Sequence, residues 1–335
     1  MKLKRRHAIG ALVATTAAGM AAPAIAQSRV RLTASTRWPA ADSGPGAMAP
    51  RISRRLNELS GGQIQLEITA ETGAGPNAYA AISNGDVSVH FGQEEDWLNL
   101  NPAYGLFCNL PFGMTANEFE GWIYFGDGAN VWARLAEQSG VMPFLAGDLG
   151  LIPSFIRSDI SELTALTGLT ASASGVAADL WRTMGVKIDT QAGVIVDDPL
   201  IDAAMIGQNG LRILSPSVSH PHHALSANFN LPAFEALSEE HKGLVQLAFR
   251  SEHMALRMDA ENAKRQVPTT PAINVSPLVS TQMALATKEL IAKIESGGPA
   301  ASDALWSYQV HLEDARAWTE VSEGAYLDKR FGSVG

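Results

Sequence analysis

Cysteine is nearly absent: Cys108 is the single thiol in 335 residues, so no intrachain disulfide can form. A chain of this length buries enough surface to hold a core without cross-links. Cys108 lies in the apolar run Leu106-Phe107-Cys108-Asn109-Leu110 and reads as a buried structural thiol. No CxxC or HExxH spacing occurs, so a compact metal signature is lacking and no cofactor is expected. Basic residues are also in deficit, 25 against 34 acidic. Nucleic-acid and anionic-membrane binding draw on basic patches, and this balance argues against both. Past the first residues, no apolar run approaches the ~20 residues of a membrane-spanning helix.

The first residues read as processing information. Lys2, Lys4, Arg5 and Arg6 precede a small apolar stretch from Ala8 to about Ala22, and Ala24-Ile25-Ala26 supplies a cleavage site before Gln27. Arg5-Arg6 followed by Ile9 resembles a twin-arginine motif, although ordinary secretory signals also carry such pairs. A signal peptide over 1–26 holds four of the basic and none of the acidic residues, so its removal takes the formal charge from −9 to −13. About 309 residues are left, enough for two domains of ordinary size.

Apolar and polar residues alternate from Val30 to Thr36 and again at Ile64, Leu66 and Ile68, which predicts two strands. Between them Ile52, Leu56 and Leu59 fall at helical spacing, and Ser60-Gly61-Gly62 ends that helix. A short helix around Tyr79–Ser83 leads to a third strand, Val87–Phe91. This succession predicts parallel βαβ units in an open α/β sheet. One long helical region is expected over Glu118–Gln138, strands near Pro143, Gly168–Ala173 and Val194–Val196, and a helix over Val176–Met184. Long helices follow over Glu239–Arg265 and Gln282–Ile294, then a third, or a broken pair, over Ser302–Leu327. No low-complexity linker divides the chain, so it is expected to pass between two lobes more than once, as in hinged ligand-closing proteins.

The passage Asn101-Pro102-Ala103-Tyr104-Gly105-Leu106-Phe107, continuing through Leu110-Pro111-Phe112-Gly113-Met114 to Glu118 and Trp122, resembles a segment of the solute-binding subunits of TRAP-type transporters. The branch it resembles binds 2-oxo acids and related carboxylates. Leu59-Ser60-Gly61-Gly62, Ala146-Gly147-Asp148-Leu149-Gly150, Ile201-Asp202-Ala203-Ala204, Ser307-Tyr308 and Trp318 match further motifs in the same order. The resemblance implies an α/β, two-lobed periplasmic binding protein of the Venus-flytrap, type II-like architecture with long C-terminal helices. Its first lobe would span 27–145 and be completed by about 225–265. The second would span 146–224 and be completed by about 266–300, leaving 301–335 as a C-terminal helical segment. It also implies a periplasmic location, a small-molecule solute, membrane permease subunits as partners, and a homodimer through the C-terminal helix.

Departures from the family pattern fall where a ligand would sit. The family's carboxylate-binding arginine, a guanidinium fork matched to a carboxylate, has Ser172 in its place. Its metal-holding glutamate and the tryptophan after it are replaced by Met205 and Ile206, and a thioether suits a hard cation poorly. Leu151-Ile152-Pro153-Ser154-Phe155 replaces its inter-lobe glutamine and Gly-Gly-Trp-Phe.

After the third strand, Gln93-Glu94-Glu95-Asp96-Trp97 brings three carboxylates to a strand end where open α/β sheets bind ligands. One reading is a solvated acidic loop. The other has a carboxylate, with Trp38 and Trp97, receive a cationic or polyhydroxylated ligand. Asp148 and His220 are further candidates on the cleft. His220-Pro221-His222-His223 reads as cleft-edge histidines, or as a partial zinc or nickel set whose other ligands would come from elsewhere in the chain.

Three functions follow in order of support: a transport-linked binding protein, a periplasmic sensor or orphan binding protein, and an enzyme. The last is not expected, because Ser217, Ser219, His220 and Asp148 have no nucleophile elbow to place them.

Overall fold

The computed structural model describes residues 29–71, 76–158, 160–198, 210–265 and 272–332. The expected signal segment, the Ile201–Ala204 motif and Met205 lie outside the described residues.

The chain opens with β1 (Val30–Thr36), α1 (Pro45–Leu59), β2 (Ile64–Glu71), α2 (Pro76–Asn84) and β3 (Val89–Gly92). Leu32 and Ala34 of β1 and Met48, Ile52 and Leu56 of α1 are buried together, as their periods of two and about 3.6 require. The Gly62 N–H returns to Asn57 O (2.8 Å) and both Gly61 and Gly62 have positive φ, which closes α1 where the sequence places its end. Next come α3 (Ala116–Tyr124), α4 (Gly128–Glu137) and β4 (Val141–Asp148). The single helix expected over Glu118–Gln138 is therefore two. A Cβ at Gly126 or Gly128 would meet the Trp122 backbone, so the chain turns tightly over Trp122 there.

The second half runs β5 (Phe155–Ile156), β6 (Glu162–Leu163), β7 (Thr170–Ala173), α5 (Gly175–Thr183), β8 (Lys187–Ile188), β9 (Ile195–Asp197) and β10 (Arg212–Ser215). After them come β11 (Ala224–Asn230), α6 (Leu231–Glu235), α7 (Glu239–Lys264) and β12 (Ile273–Val275). The helices α8 (Pro277–Glu295), α9 (Pro299–Val321) and α10 (Glu323–Gly332) close the chain. The expected long C-terminal helix is a broken pair, interrupted at Ser322.

Two sheets result. The first has the order β2-β1-β3-β11-β4 and the second β6-β12-β10-β5-β9-β7-β8. In the first, β1 is parallel to β2 and β3, while β11 inserts antiparallel to both β3 and β4. The chain moves from one sheet to the other between Asp148 and Phe155, back between Ser215 and Ala224, and across again between Lys264 and Ile273. Each lobe has its own core. One is built on Phe91, Phe229 and Phe249 and another on Trp181, Ile195 and Leu290. A third cluster under the first lobe's α3 and α4 takes in Leu305 and Tyr308 of α9. There Tyr308 accepts the Met114 N–H at 3.0 Å and Ser307 accepts Trp122 Nε1 at 3.0 Å.

Candidate functional site

The two sheets present strand ends to one another. From the first come Arg37 after β1, Gln93–Trp97 after β3, and Asp148 closing β4; from the second come Asp197 closing β9 and the start of α5 after β7. The connection from β10 to β11, residues 216–223, threads between them. Crevices at such strand ends are where open α/β sheets take ligands.

The acidic segment is buried, which corrects the reading of it as a solvated loop. Its three carboxylates part company because each finds a different partner. Glu94 turns into the first lobe, where it accepts Asn228 Nδ2 (2.8 Å) and Trp132 Nε1 (3.1 Å). Burial raises its carboxyl above the ordinary range, and those donors oppose the rise. Trp97 goes the same way, edge-on to Tyr79 and His90 with ring centroids 4.8 and 5.7 Å apart. Trp97 is fully buried, so it has no free face for a cation. Asp96 pairs with Arg37; burial raises its carboxyl, against the pull of that guanidinium.

Glu95 crosses the cleft. Its Oε1 accepts the Val176 N–H of α5 at 3.1 Å and Asn109 Nδ2 at 3.2 Å. Burial pushes its pKa up to about 7, opposed first by the charge of His220. Gly175 begins α5 at φ 53, and a Cβ there would collide with the Glu95 carboxylate. The backbone thus leaves room for an anion at a helix N-terminus, and a glutamate from the opposite lobe fills it.

The histidine run is wholly buried, so it does not form an exposed cleft edge. His220 Nε2 lies 3.3 Å from Asp197 Oδ1, and its Nδ1 is 2.8 Å from Asn109 Nδ2. Burial alone would lower the pKa of this imidazole, but Asp197 raises it. Burial would likewise raise the Asp197 carboxyl, and His220 lowers it. Asp197 also accepts Ser154 Oγ (2.9 Å) and Trp181 Nε1 (2.6 Å). His222 Nδ1 is 2.9 Å from Asp148 Oδ2, and its ring stacks on Phe119 with centroids 4.3 Å apart. Asp148 Oδ1 accepts the Gly150 N–H (2.6 Å). Burial opposes ionisation of Asp148, but His222 outweighs it and lowers the carboxyl. His223 donates Nε2–H to Gln93 Oε1 (3.0 Å) and turns Nδ1 toward Asn109 Nδ2 (3.1 Å) and Cys108 Sγ (3.7 Å). Burial holds this imidazole neutral, and burial also raises the Cys108 thiol.

Of the residues expected at the cleft, Gln93, Glu95 and His220 enter one buried network, and Asp148 pairs with His222 beside it. Ser172 is half-buried and donates its Oγ to Thr190 O (3.2 Å). Trp38 is half-buried against the first-lobe core. Asn109, Asp197, Ser154 and His223 complete the network. Asn109 carries no local signal, since its three partners lie at residues 95, 220 and 223.

No protein-family profile matches the chain. A curated relative from Nostoc sp., a monocarboxylate 2-oxoacid-binding periplasmic protein, is 23% identical over 256 residues, covering 71% of this chain and 70% of its own. Among solved structures, a TRAP transporter solute-binding protein from Bordetella bronchiseptica with calcium and picolinate bound superposes with TM-score 0.79 at 19% identity, over 92% of this chain and 98% of that one. A TRAP periplasmic solute-binding protein from Colwellia psychrerythraea with calcium and pyruvate also gives TM-score 0.79, at 18% identity over 90% and 99%. The fold is that of the TRAP periplasmic solute-binding proteins. It is the two-lobed α/β architecture with long C-terminal helices that the sequence motifs predict. In this chain the cleft between the two sheets is filled by the polar contacts just described.

Proposed function

We propose that this chain is the extracytoplasmic solute-binding subunit of a TRAP-type transporter, delivering a small organic solute to membrane permease subunits, and that the solute is not a simple 2-oxo acid. It binds and does not catalyse. The family-wide motifs, the fold and the likeness to the Nostoc protein support the class. The observation that sets the ligand apart is Glu95 at the N-terminus of α5. A ligand carboxylate entering beside it would face a second carboxylate, with a serine hydroxyl at position 172 where the family has a guanidinium. Neutral polyhydroxylated or cationic solutes carry no such penalty, because a like charge in a water-poor site costs far more than it does in solution.

Titration calorimetry of pyruvate, a polyol panel and a short amine panel tests this. Micromolar binding of pyruvate, with no binding of the neutral and cationic panels, overturns the ligand assignment.

Export through the segment 1–26 to the periplasm belongs to the same reading, as does self-association through the C-terminal helices. On α9 the exposed Trp306, Val310, Trp318 and Val321 fall within about 120° of the helix circumference, and Tyr326 and Phe331 extend the apolar surface onto α10. A second copy covering that stripe accounts for so much exposed aromatic area. Light scattering should give a dimer at micromolar concentration and a monomer for Trp306→Asp with Trp318→Asp; a monomeric parent rejects the assignment.

A further inference from the structure

We infer that Glu95 is a proton-controlled latch between the lobes: with a proton on its carboxyl group it holds the cleft shut, and ionised it lets the lobes part. No solute is needed for either state. The latch is one side chain long. Glu95 follows β3 of the first lobe, and its Oε1 accepts the Val176 N–H of the second lobe's α5 at 3.1 Å. Asn109 Nδ2 reaches the same oxygen at 3.2 Å. Gly175 leaves the space, since a Cβ there would lie on the carboxylate. The junction is shaped around a carboxyl group, and closing it carries that group out of water.

The two carboxylate oxygens fare differently. Oε1 holds both donors, whereas Oε2 has Gln93 Nε2 at 3.5 Å, beyond the usual range of an N–H···O bond. An ionised carboxylate offers about four acceptor sites, and a buried charge that is incompletely paired is costly. A proton on Oε2 removes the charge and leaves Oε1 accepting from Val176. Protonation therefore lowers the cost of closure without breaking the contact. Burial accordingly pushes the Glu95 pKa up to about 7. With the lobes apart this strand-end segment meets water, and the carboxyl returns toward its ordinary 4.5. The raised value belongs to the closed form, so closing takes up a proton between those two values. Closure gains as the pH falls from about 7 to about 4.5, by up to roughly 300-fold, and levels off outside that window.

The surrounding charges leave Glu95 as the one that decides. His220, on the connection from β10 to β11, lies 3.3 Å from Asp197 of the second lobe, and its charge is the first to oppose the rise at Glu95. Asp96 adds to the rise and is paired with Arg37. Cys108 and His223 approach within 4.8 Å; burial keeps the thiol protonated and the imidazole neutral. His222 is taken by Asp148. On α5 the first charged side chain, Asp179, is tied to Arg182 and Lys293. With Asp197 matched to His220 and Asp96 to Arg37, the Glu95 carboxylate has no cation of its own.

Spin-label distances across the cleft of the full chain, freed of solute, test the latch. Nitroxides go on Asp42→Cys in the loop after β1 and Gln191→Cys in the loop after β8, exposed positions on opposite lobes; Cys108 is buried. The ratio of short to long distances should rise at least about tenfold as the pH is lowered from about 8 to about 5. Glu95→Gln, which keeps the acceptor and carries no charge, should give the short distance at every pH. An unchanged distribution in the parent, or a pH dependence that survives Glu95→Gln, overturns the inference. If Glu95→Gln does not fold, infrared difference spectra of the labelled parent decide instead. A protonated-carboxyl band that grows in step with the short distance supports the latch, and a distance change without that band rejects it.

Discussion

Glu95, carried by the first lobe, accepts the backbone N–H of Val176 at the start of the second lobe's α5, across 3.1 Å. The contact links the lobes through a single side chain. Removing it should loosen closure and vacate an anion position at a helix N-terminus. Glu95→Ala is therefore expected to bind small carboxylates at least tenfold more tightly than the parent. This corresponds to about 1.4 kcal/mol, near the lower end of the roughly 1.5–3 kcal/mol of a hydrogen bond to a charged group. Calorimetry with pyruvate and acetate on both proteins checks it, and equal affinities would remove Glu95 from the account of specificity.

Gly175 tests the same junction from the other side. Its φ of 53 and the collision of an added Cβ with the Glu95 carboxylate both act against a side chain. Gly175→Ala should cost about 1–3 kcal/mol of stability, seen as a lower denaturant midpoint with an unchanged slope. Gly168 also has positive φ, but a Cβ there meets nothing, so Gly168→Ala isolates the backbone share.

The buried His90 sets a pH dependence. Its Nδ1 is paired with Ser35 Oγ at 2.9 Å, and burial followed by the Arg37 charge lowers its pKa to about 4. Unfolded, the same ring takes a proton near 6.5. Its contribution is fully present above that value and is lost as the pH falls from about 6.5 to about 4, amounting to roughly 3 kcal/mol. His90→Gln should flatten the stability profile over that window relative to the parent. Parallel profiles would refute the assignment.

Glu252 of α7 is buried and receives Arg51 Nε at 2.8 Å and Arg55 Nη1 at 3.1 Å from α1. Burial raises its carboxyl while the two guanidinium groups oppose the rise. Replacing both arginines by alanine leaves the carboxylate unpaired and should cost about 3 kcal/mol. Glu252→Gln, which retains hydrogen-bonding capacity, should cost about 1 kcal/mol. Urea unfolding of the three proteins measures the difference.

The sequence was most legible where a structure is local. The first five elements, from β1 to β3, follow from alternation, helical spacing and the Ser60-Gly61-Gly62 stop. β11 carries no strand signal because Ala224-Leu225-Ser226-Ala227-Asn228-Phe229-Asn230 is buried on both faces, which erases alternation. Its polar members also look like loop residues until their partners are known: Asn228 donates to Glu94, and Asn230 to Ile82 O. The acidic segment misled for the same reason. A charge run reads as solvated unless its partners are visible, and, Gln93 apart, those of Glu94 and Glu95 described above lie between 14 and 134 residues away. The buried cluster around Asn109 shows the problem most clearly, since His223 meets Cys108 across 115 residues.

The position of β11 also governs the order in which the molecule can be made. Until Asn230 has emerged from the ribosome, β4 has no neighbour and β3 has one open edge, because β11 alone joins them. At about 5–20 residues per second, β4 waits several seconds for that strand. A nascent chain stopped after Asp148 therefore carries two unpaired strand edges and should recruit chaperones or aggregate. The first lobe is first in the sequence, yet its sheet cannot close until the chain has passed through the second lobe and come back.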